Sequence, residues 1–393
     1  MKFSRFLVIL LLGTSLLTAC KNQGNINVRH VRNLETGHTL QGYYYALPRT
    51  VITVEVAAIK TTETPGPFAQ FASRLLGLEN VIMQPSVSWE LGDVKIRSYA
   101  EPDPSEFYFA EFNAQKNQKN PLALYLSQTG LIMSVNTPPA DDPSFSGHIS
   151  PSRQQAFGSE ATFNHFIETN LQERIDTIIE RVRMDTTTVE RRTLRRTWVE
   201  KSSEVRAREV ADYILKLRNK KFDLISGFAE IPYSRDAMKY MYEQMDRQEN
   251  DYLELFTGIR TQSMVRYRFT YLPDKNKTSE PEILFYFSRN EGVVKENRRG
   301  AEPVYLQVTS ENATRQPAVF LMNPTRSNAV ERGFFYRIPE YANLKIFKEN
   351  KPVADARLLI SQFGIITSLP PDDLRIEFYP ETGAIRSIER IRQ

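Results

Sequence analysis

The chain has 393 residues, of which 25% are charged, and its formal net charge is +4. Such a balance excludes a chain built to bind nucleic acid or a strongly acidic partner by overall charge. Hydrophobic residues make up 41% of the chain and aromatic residues 11%, which is enough to bury a core in each of two or three domains.

The first 19 residues have the features of a secretory signal peptide. Lys2 and Arg5 precede an apolar stretch that begins at Phe6, and small residues at positions 18 and 19 precede Cys20. A basic head, a short apolar stretch and small residues before a cleavage site are typical of export signals. The stretch is too short to cross a membrane, which takes about 20 apolar residues. The sequence therefore predicts that residues 1–19 are removed during export.

Cys20 is the only cysteine of the chain, and Leu17-Thr-Ala-Cys20 resembles the lipobox of bacterial lipoproteins. A single cysteine at the cleavage site has no disulfide to form, so we expect its thiol to carry a lipid. Acyl chains at this position would hold the protein stably in a membrane. The alternative is a secreted protein with a free thiol. Residues 21–25 contain no acidic side chain, and we expect the protein in the outer membrane, facing the periplasm.

Residues 20–41 are polar and predict a tether, and the portion 42–150 predicts mainly strands. Thr50-Val-Ile-Thr-Val-Glu-Val56 is β-branched and alternating, which is typical of a strand. Pro67 and Gly77 suit the start and the end of one short helix. Prolines concentrated between residues 136 and 151 indicate the boundary of this portion.

The middle region, 151–260, is predicted to be helical and locally basic. Apolar residues near helical spacing predict a helix over about 160–183. Two more helices are expected, one capped by Ser202 or Ser203 and a longer one between Ser234 and Gly258. Residues 186–199 could instead be extended. Between residues 171 and 221 there are 14 Lys or Arg and 9 Asp or Glu.

The last portion, 261–393, again predicts strands and echoes the first. Gly42-Tyr-Tyr-Tyr-Ala-Leu-Pro48 matches Gly333-Phe-Phe-Tyr-Arg-Ile-Pro339, and Leu126-Ser-Gln-Thr-Gly-Leu-Ile132 matches Ile360-Ser-Gln-Phe-Gly-Ile-Ile366. A late glycine supplies the positive φ that a hairpin turn needs. The echo indicates either reuse of turns or two related β modules. We expect an α+β fold in which two antiparallel β-rich portions flank a helical middle region.

Several segments resemble a lipoprotein family of Bacteroides-type bacteria (Bacteroidales) that contains a domain of unknown function. They are 42–48, 65–78, 211–218, 255–258, 336–339 and 362–364, and the likeness covers most of the mature chain. The resemblance implies location and lineage. It transfers no functional residue, activity or ligand.

No catalytic residue, metal ligand or cofactor is predicted. The four histidines lack the second histidine or the Cys-x-x-Cys partner of common metal sites. The carboxylate pairs Asp141-Asp142 and Asp372-Asp373 lie beside prolines, where solvated turns are expected. The expected partners are the membrane, through the N-terminal lipid, and an envelope protein, but not nucleic acid.

The segment Thr186–Trp198 is predicted to contact a partner. It holds Arg191, Arg192, Arg195 and Arg196 together with Trp198. Trp and Arg are enriched where one protein covers another, and a guanidinium pairs well with carboxylate or phosphate. An acidic protein face or lipid headgroups would both suit it, and the alternative is a solvated charged segment without a partner. Asp185-Thr186-Thr187 also resembles an O-glycosylation pattern of exported proteins in these bacteria, with Thr186 as the modified residue.

The function expected from the sequence is that of a non-catalytic envelope lipoprotein that binds or scaffolds another envelope component. One alternative is a glycan- or peptide-binding module that uses exposed aromatic strand residues, in the clusters 43–45, 107–109, 285–287 and 334–336. A third is an envelope hydrolase without a recognisable motif.

Overall fold

The computed structural model describes residues 26–33, 42–112, 123–139, 162–163, 170–184, 187–226, 233–277, 279–314, 333–369 and 373–391. Strands account for 57% of these residues and helices for 21%. The strands are β1 (Ile26–His30), β2 (Gly42–Thr64), β3 (Ser86–Phe112), β4 (Leu124–Leu126), β5 (Ile132–Val135), β6 (Leu171–Met184), β7 (Thr187–Glu200), β8 (Ile259–Tyr271), β9 (Glu282–Ser288), β10 (Gly292–Val294), β11 (Glu302–Ser310), β12 (Phe334–Lys348), β13 (Lys351–Leu369), β14 (Leu374–Phe378) and β15 (Ile385–Arg390). The α-helices of the described residues are α1 (Ala72–Leu76), α2 (Ser203–Ser226) and α3 (Arg235–Thr257).

The α+β class expected from the sequence is wrong, because the protein is largely β-sheet. The helices do lie in the middle of the chain with strands on both sides. Strands from the two sides share sheets, however, since β8 pairs with β2 and β14 pairs with β5. The two β-rich portions therefore complete each other's sheets.

The first sheet has the strand order β1-β3-β2-β8, and its neighbouring strands are antiparallel. β2 is 23 residues long and ends before Pro65-Gly-Pro67, where the prolines cannot extend the ladder. Bulges at Leu47 and Ala57 interrupt its pairing with β3. Ile26–His30, which falls in the predicted tether, pairs with the end of β3 and belongs to this sheet.

The main core lies between the first sheet and a second sheet of order β10-β9-β11-β12-β13. Alternate residues of β2, such as Ile52, Val54 and Val56, point into it and are almost fully buried. They meet Phe285 and Leu344 from the second sheet. Burying each such side chain is worth about 1.5–3 kcal/mol. This alternation is why the β-branched run from Thr50 folds as a strand.

A second core joins the first sheet to a third, β15-β14-β5-β4, and to the start of β12. Tyr45 is buried there and stacks on Tyr108. Its hydroxyl oxygen accepts a hydrogen bond of 2.8 Å from the backbone N–H of Phe335. Burial raises the pKa of Tyr45 well above its usual value, so this phenol stays neutral.

The helical hairpin of α2 and α3 docks where β2 ends, at Thr64. As predicted, Ser234 caps α3 by accepting a backbone hydrogen bond from its first turn, and Gly258 ends the helix. Ser202 caps α2 in the same way. Phe68, in the turn after β2, packs with residues of both helices in a third core.

The helix predicted over about 160–183 is wrong, because β6 occupies Leu171–Met184. Leu171 and Ile175 are four residues apart, a spacing that returns to the same face of a helix. Four is also an even number, so the same two residues share one face of a strand. The extended alternative for residues 186–199 is confirmed over the described part by β7.

Residues 1–19, Cys20 and Thr186 lie outside the described residues. Within the part of the chain that is described, no helix is long and apolar enough to cross a membrane.

Candidate interaction surface

β6 and β7 form a long antiparallel hairpin, which we call the arm. Its register pairs Leu171 with Glu200 at the base and Met184 with Thr187 at the tip. At the base, the N–H of Lys201 donates to the carbonyl oxygen of Asn170 at 2.7 Å, and α2 starts at Ser203. The arm is a separate two-stranded sheet, so neither strand continues a ladder of the other described sheets.

The arm has two faces, because residues directly opposite each other across an antiparallel pair point to the same side. One face, which we call the apolar face, carries five large hydrophobic side chains that are between 49% and 71% exposed. These residues are Leu171, Ile175, Ile179, Leu194 and Trp198. Charged residues alternate with them, so Glu173 lies opposite Trp198 and Arg196 lies opposite Ile175.

The structure divides the four predicted contact arginines between these faces. Arg192 and Arg196 share the apolar face with Trp198, whereas Arg191 and Arg195 lie on the other side. Arg196 is 3.6 Å from Glu173, measured from Nε to Oε1. Arg191, Arg192 and Arg195 form no ion pair with any described residue. The apolar face therefore carries three groups suited to a contact. They are the guanidinium of Arg192, which has no ion pair among the described residues, that of Arg196, which pairs loosely with Glu173, and the exposed indole of Trp198.

An isolated two-stranded hairpin is at best marginally stable in water. The arm has 14 residues in each strand, yet the described side chains on both of its faces are open to solvent or only half-buried. Monomeric proteins rarely leave a continuous apolar surface uncovered. The arm is thus the part of the described structure that contact with another surface would stabilise most.

Sequence reasoning found the arginines, Trp198 and the segment that contains Leu194, but missed the three apolar residues that β6 contributes to the face. The reason is the helix expected for β6, which distributes residues 171–183 around a cylinder. A signal was present in the sequence, since Leu171, Ile175 and Ile179 recur at intervals of four within a β-branched run.

The aromatic clusters noted in the sequence are mostly buried. Tyr45, Tyr108, Phe285, Phe287 and Phe334 all lie in the cores. The exposed members are Tyr43 and Tyr44, at 60% and 57%, at the start of β2. The ring of Tyr44 rests on Phe109, with 4.9 Å between ring centroids.

The buried ion pair of Arg337 and Asp103, both among the described residues, does not form an open site. Arg337 donates to Asp103, whose other oxygen accepts hydrogen bonds from the N–H and the hydroxyl of Ser105. Arg337 and Asp103 are both buried, which closes the pair to a substrate. Among the described residues, no group of three or more His, Cys, Asp or Glu side chains could hold a metal ion.

The fold and this surface define the class of the protein. It is a largely β protein with a protruding, partly apolar arm. The chain belongs to the family described as Domain of unknown function (DUF4831), which matches residues 41–386. The match spans β2 to β14, including the helical hairpin and the arm, and leaves out β1 and most of β15. No curated protein and no solved structure matches the chain.

Proposed function

We propose that the protein is a non-catalytic lipoprotein of the cell envelope in Bacteroides-type bacteria, and that it binds or scaffolds another envelope component through the arm. The observation that carries this proposal is the exposure of the apolar face, with Trp198 and Arg192 on it. Aromatic and arginine side chains of this kind dominate the energy of protein–protein contacts.

The position of the arm favours a protein partner over the headgroups of the anchoring membrane. Cys20 precedes β1 by six residues, and β1 pairs with the end of β3 that lies beside Gly42. The arm is rooted near α2, which packs beyond the other end of β2. A straight strand of 23 residues spans roughly 70 Å. A lipid on Cys20 would thus lie far from the root of the arm.

The test compares the two faces of the arm in living cells. One variant changes Arg192, Arg196 and Trp198 to Ser, and the matched control changes Arg191 and Arg195 to Ser on the other face. Chemical crosslinking in intact cells, followed by mass spectrometry, identifies what is attached to each. We expect the apolar-face variant to lose a specific adduct that the control keeps.

Circular dichroism and thermal melting show that both variants are folded, which the exposed positions favour. Adducts that are the same for wild type and both variants would overturn the proposal. Loss of the same adducts from both variants would also contradict a contact through the apolar face.

The predicted location, the outer membrane with the protein facing the periplasm, has its own test. Protease added to intact cells should spare the protein and degrade it only after permeabilisation. Rapid degradation in intact cells would place it on the cell surface.

A second candidate function, glycan or peptide binding, is supported by the exposed rings of Tyr43 and Tyr44, which lie on opposite faces of β2. Tyrosine faces can stack on sugar rings, since one side of such a ring is apolar. Tyr43→Ser with Tyr44→Ser should abolish retention on envelope glycans if this candidate is right, whereas the arm variants should leave retention unchanged.

A further inference from the structure

The outer edge of β6 carries unpaired backbone groups. The hydrogen bond from Lys201 to Asn170 makes these two residues a hydrogen-bonded pair. Because backbone groups alternate in direction along an antiparallel strand, even-numbered residues of β6 face β7. Odd-numbered residues from Leu171 to Arg181 direct their N–H and C=O groups away from β7. No described strand pairs with that edge, and such an edge is a template for another strand.

The sequence of β6 is complementary to itself about Thr177. Counting outward from Thr177, two residues away in each direction stand Ile175 and Ile179. Three residues away stand Arg174 and Glu180, and four residues away stand Glu173 and Arg181. At these three- and four-residue distances the charges on one side are the opposite of those on the other, whereas one residue away Asp176 stands opposite the uncharged Ile178. A strand with this pattern matches a second copy of itself that runs in the reverse direction.

We propose that β6 pairs edge to edge with β6 of a second copy of this chain, antiparallel, about a twofold axis through Thr177. The two arms then form one four-stranded sheet of order β7-β6-β6-β7. Glu173 lies opposite Arg181 of the second copy, and Arg174 lies opposite Glu180 of the second copy. Each pair occurs twice because the interface is isologous. Opposite charges and paired isoleucines across strands both stabilise a sheet.

The axis through Thr177 is favoured because it forms the most opposite-charge pairs. An axis two residues away, at Ile175, retains only Arg174 opposite Asp176 of the second copy. Moving the axis by one residue to Asp176 sets that carboxylate against its own copy, and moving it to Ile178 sets Asp176 against Glu180. β7 offers no equivalent edge. An axis at any residue from Arg191 to Arg196 places an arginine opposite an arginine, and like charges directly opposite are destabilising. The charge pattern thus selects β6 and a second copy of the same chain.

The first experiment uses a cysteine on the axis. The Cα atoms of a hydrogen-bonded pair are about 5.5 Å apart, which a disulfide can span. Thr177→Cys should therefore give a disulfide-linked dimer of the full chain in cells under mild oxidation. Thr193→Cys is the matched control, since Thr193 lies opposite Ile178 at the same height on β7. The control should give no disulfide-linked dimer, because Thr193 of one copy lies far from Thr193 of the other in the proposed sheet. Equal crosslinking of the two variants, or none in either, would overturn the proposal.

The second experiment exchanges charges. Glu173→Arg with Arg174→Glu makes one variant, and Glu180→Arg with Arg181→Glu makes another. Each variant alone opposes like charges across the axis, so its dimer should dissociate with a Kd about ten-fold higher or more. A mixture of the two restores every opposite-charge pair and should form a heterodimer. Sedimentation velocity of the full chain in detergent, over a range of concentrations, measures both effects.

A dimer mass unaffected by either variant would exclude the β6 edge, and two weakened variants that fail to recover on mixing would exclude this register. The self-pairing rests on the edge of the arm, whereas the proposed function rests on its apolar face. Changing Arg192, Arg196 and Trp198 to Ser should leave the dimer intact. Loss of an envelope adduct without loss of the dimer therefore separates the two proposals, and each can fail alone.

Discussion

Arg337 and Asp103 form a buried ion pair between positions 234 residues apart, with 2.5 Å between Nη2 and Oδ2. Asp103 lies where β3 leaves its ladder with β2, and Arg337 lies near the start of β12. Burial acts to raise the pKa of Asp103, but hydrogen bonds from Ser105 and the charge of Arg337 outweigh it. The pKa of Asp103 is therefore held below its usual value. The pair ties the first sheet to β12.

Asp103→Asn should destabilise the fold by about 3–5 kcal/mol, because it leaves a buried guanidinium without its counter-charge. Two further nitrogens of Arg337, Nε and Nη1, already lack a hydrogen-bond partner among the described residues. Urea unfolding at pH 7 measures the loss. The matched control is Glu101→Gln, which breaks the more exposed pair between Glu101, also on β3, and Arg49 on β2. That pair is worth at most about 1 kcal/mol, and equal losses from the two variants would contradict the prediction.

The ion pair of Arg337 and Asp103 makes the free energy of unfolding depend on pH. A carboxyl with a lowered pKa in the folded state binds its proton more weakly there than in the unfolded chain. The contribution of Asp103 to stability is complete above the pKa of an aspartate in the unfolded chain, near 3.9. It is lost as the pH falls through the lower pKa that Asp103 has in the folded protein. Unfolding free energy should therefore fall below about pH 4 more steeply in the wild type than in Asp103→Asn. Parallel pH profiles of the two proteins would show that Asp103 has no such role.

Gly364→Ala should disrupt the middle of β13. A Cβ at Gly364 would overlap the carbonyl oxygen of Ile338, and backbone cannot move aside as a flexible side chain can. We expect a loss of more than about 3 kcal/mol or failure to fold. Gly300→Ala is the control, since no atom lies within 4 Å of its Cβ and only its φ of +83° opposes the change. That cost should be about 1–2 kcal/mol. Thermal melting compares them, and a well-folded Gly364→Ala would contradict the contact.

Cys20→Ala should leave the precursor uncut or release the protein from the membrane fraction, because the thiol is the site that would take the lipid. Fractionation and the mass of the N-terminal peptide measure both outcomes. A variant that is still cut after residue 19 and still partitions with detergent would show that Cys20 is not the anchor. Cys20→Ser, which keeps a similar shape, should behave like the alanine variant.

Thr186 is predicted to carry an O-linked glycan, on the strength of the Asp185-Thr186-Thr187 pattern. In the chain, Thr186 stands between the last residue of β6, Met184, and the first residue of β7, Thr187. We expect an intact mass above that of the lipidated polypeptide. The extra mass should be lost in Thr186→Ala and kept in Thr188→Ala. A mass equal to the lipidated polypeptide alone would remove the idea.

Short sequence patterns predicted a glycine turn correctly only where the chain reverses direction between two strands. Gly130 and Gly383 have positive φ in turns between consecutive strands, and Gly292 has positive φ as the first residue of β10, directly after a turn, as the strand, polar turn, glycine and strand order predicts. The matching segment around Gly364 has the same order of residue types but runs through β13 without a turn. Its glycine is required by the close approach of β12, a contact between segments that local sequence does not reveal.

The repeated motif at the starts of β2 and β12 has a structural counterpart. Gly42 and Gly333 each stand at the beginning of a long bulged hairpin, and the bulges fall at Leu47 and Pro339. The proline in each motif thus lies at or beside a break in the ladder, where a missing N–H is tolerated. This likeness of local form could be recognised from the residues alone, but its place in two facing sheets could not.

The sequence by itself determined the features that depend on neighbouring residues. These are the caps at Ser202 and Ser234, the strand conformation of the β-branched run within β2, and the stop at Pro65-Gly-Pro67. Only the tertiary structure decided that β6 is a strand, because a spacing of four fits one face of either element and pairing with β7 selects between them. That pairing also sets which arginines share a face with Trp198. Register between distant residues arises from contacts across space, and spacing along the chain does not encode it.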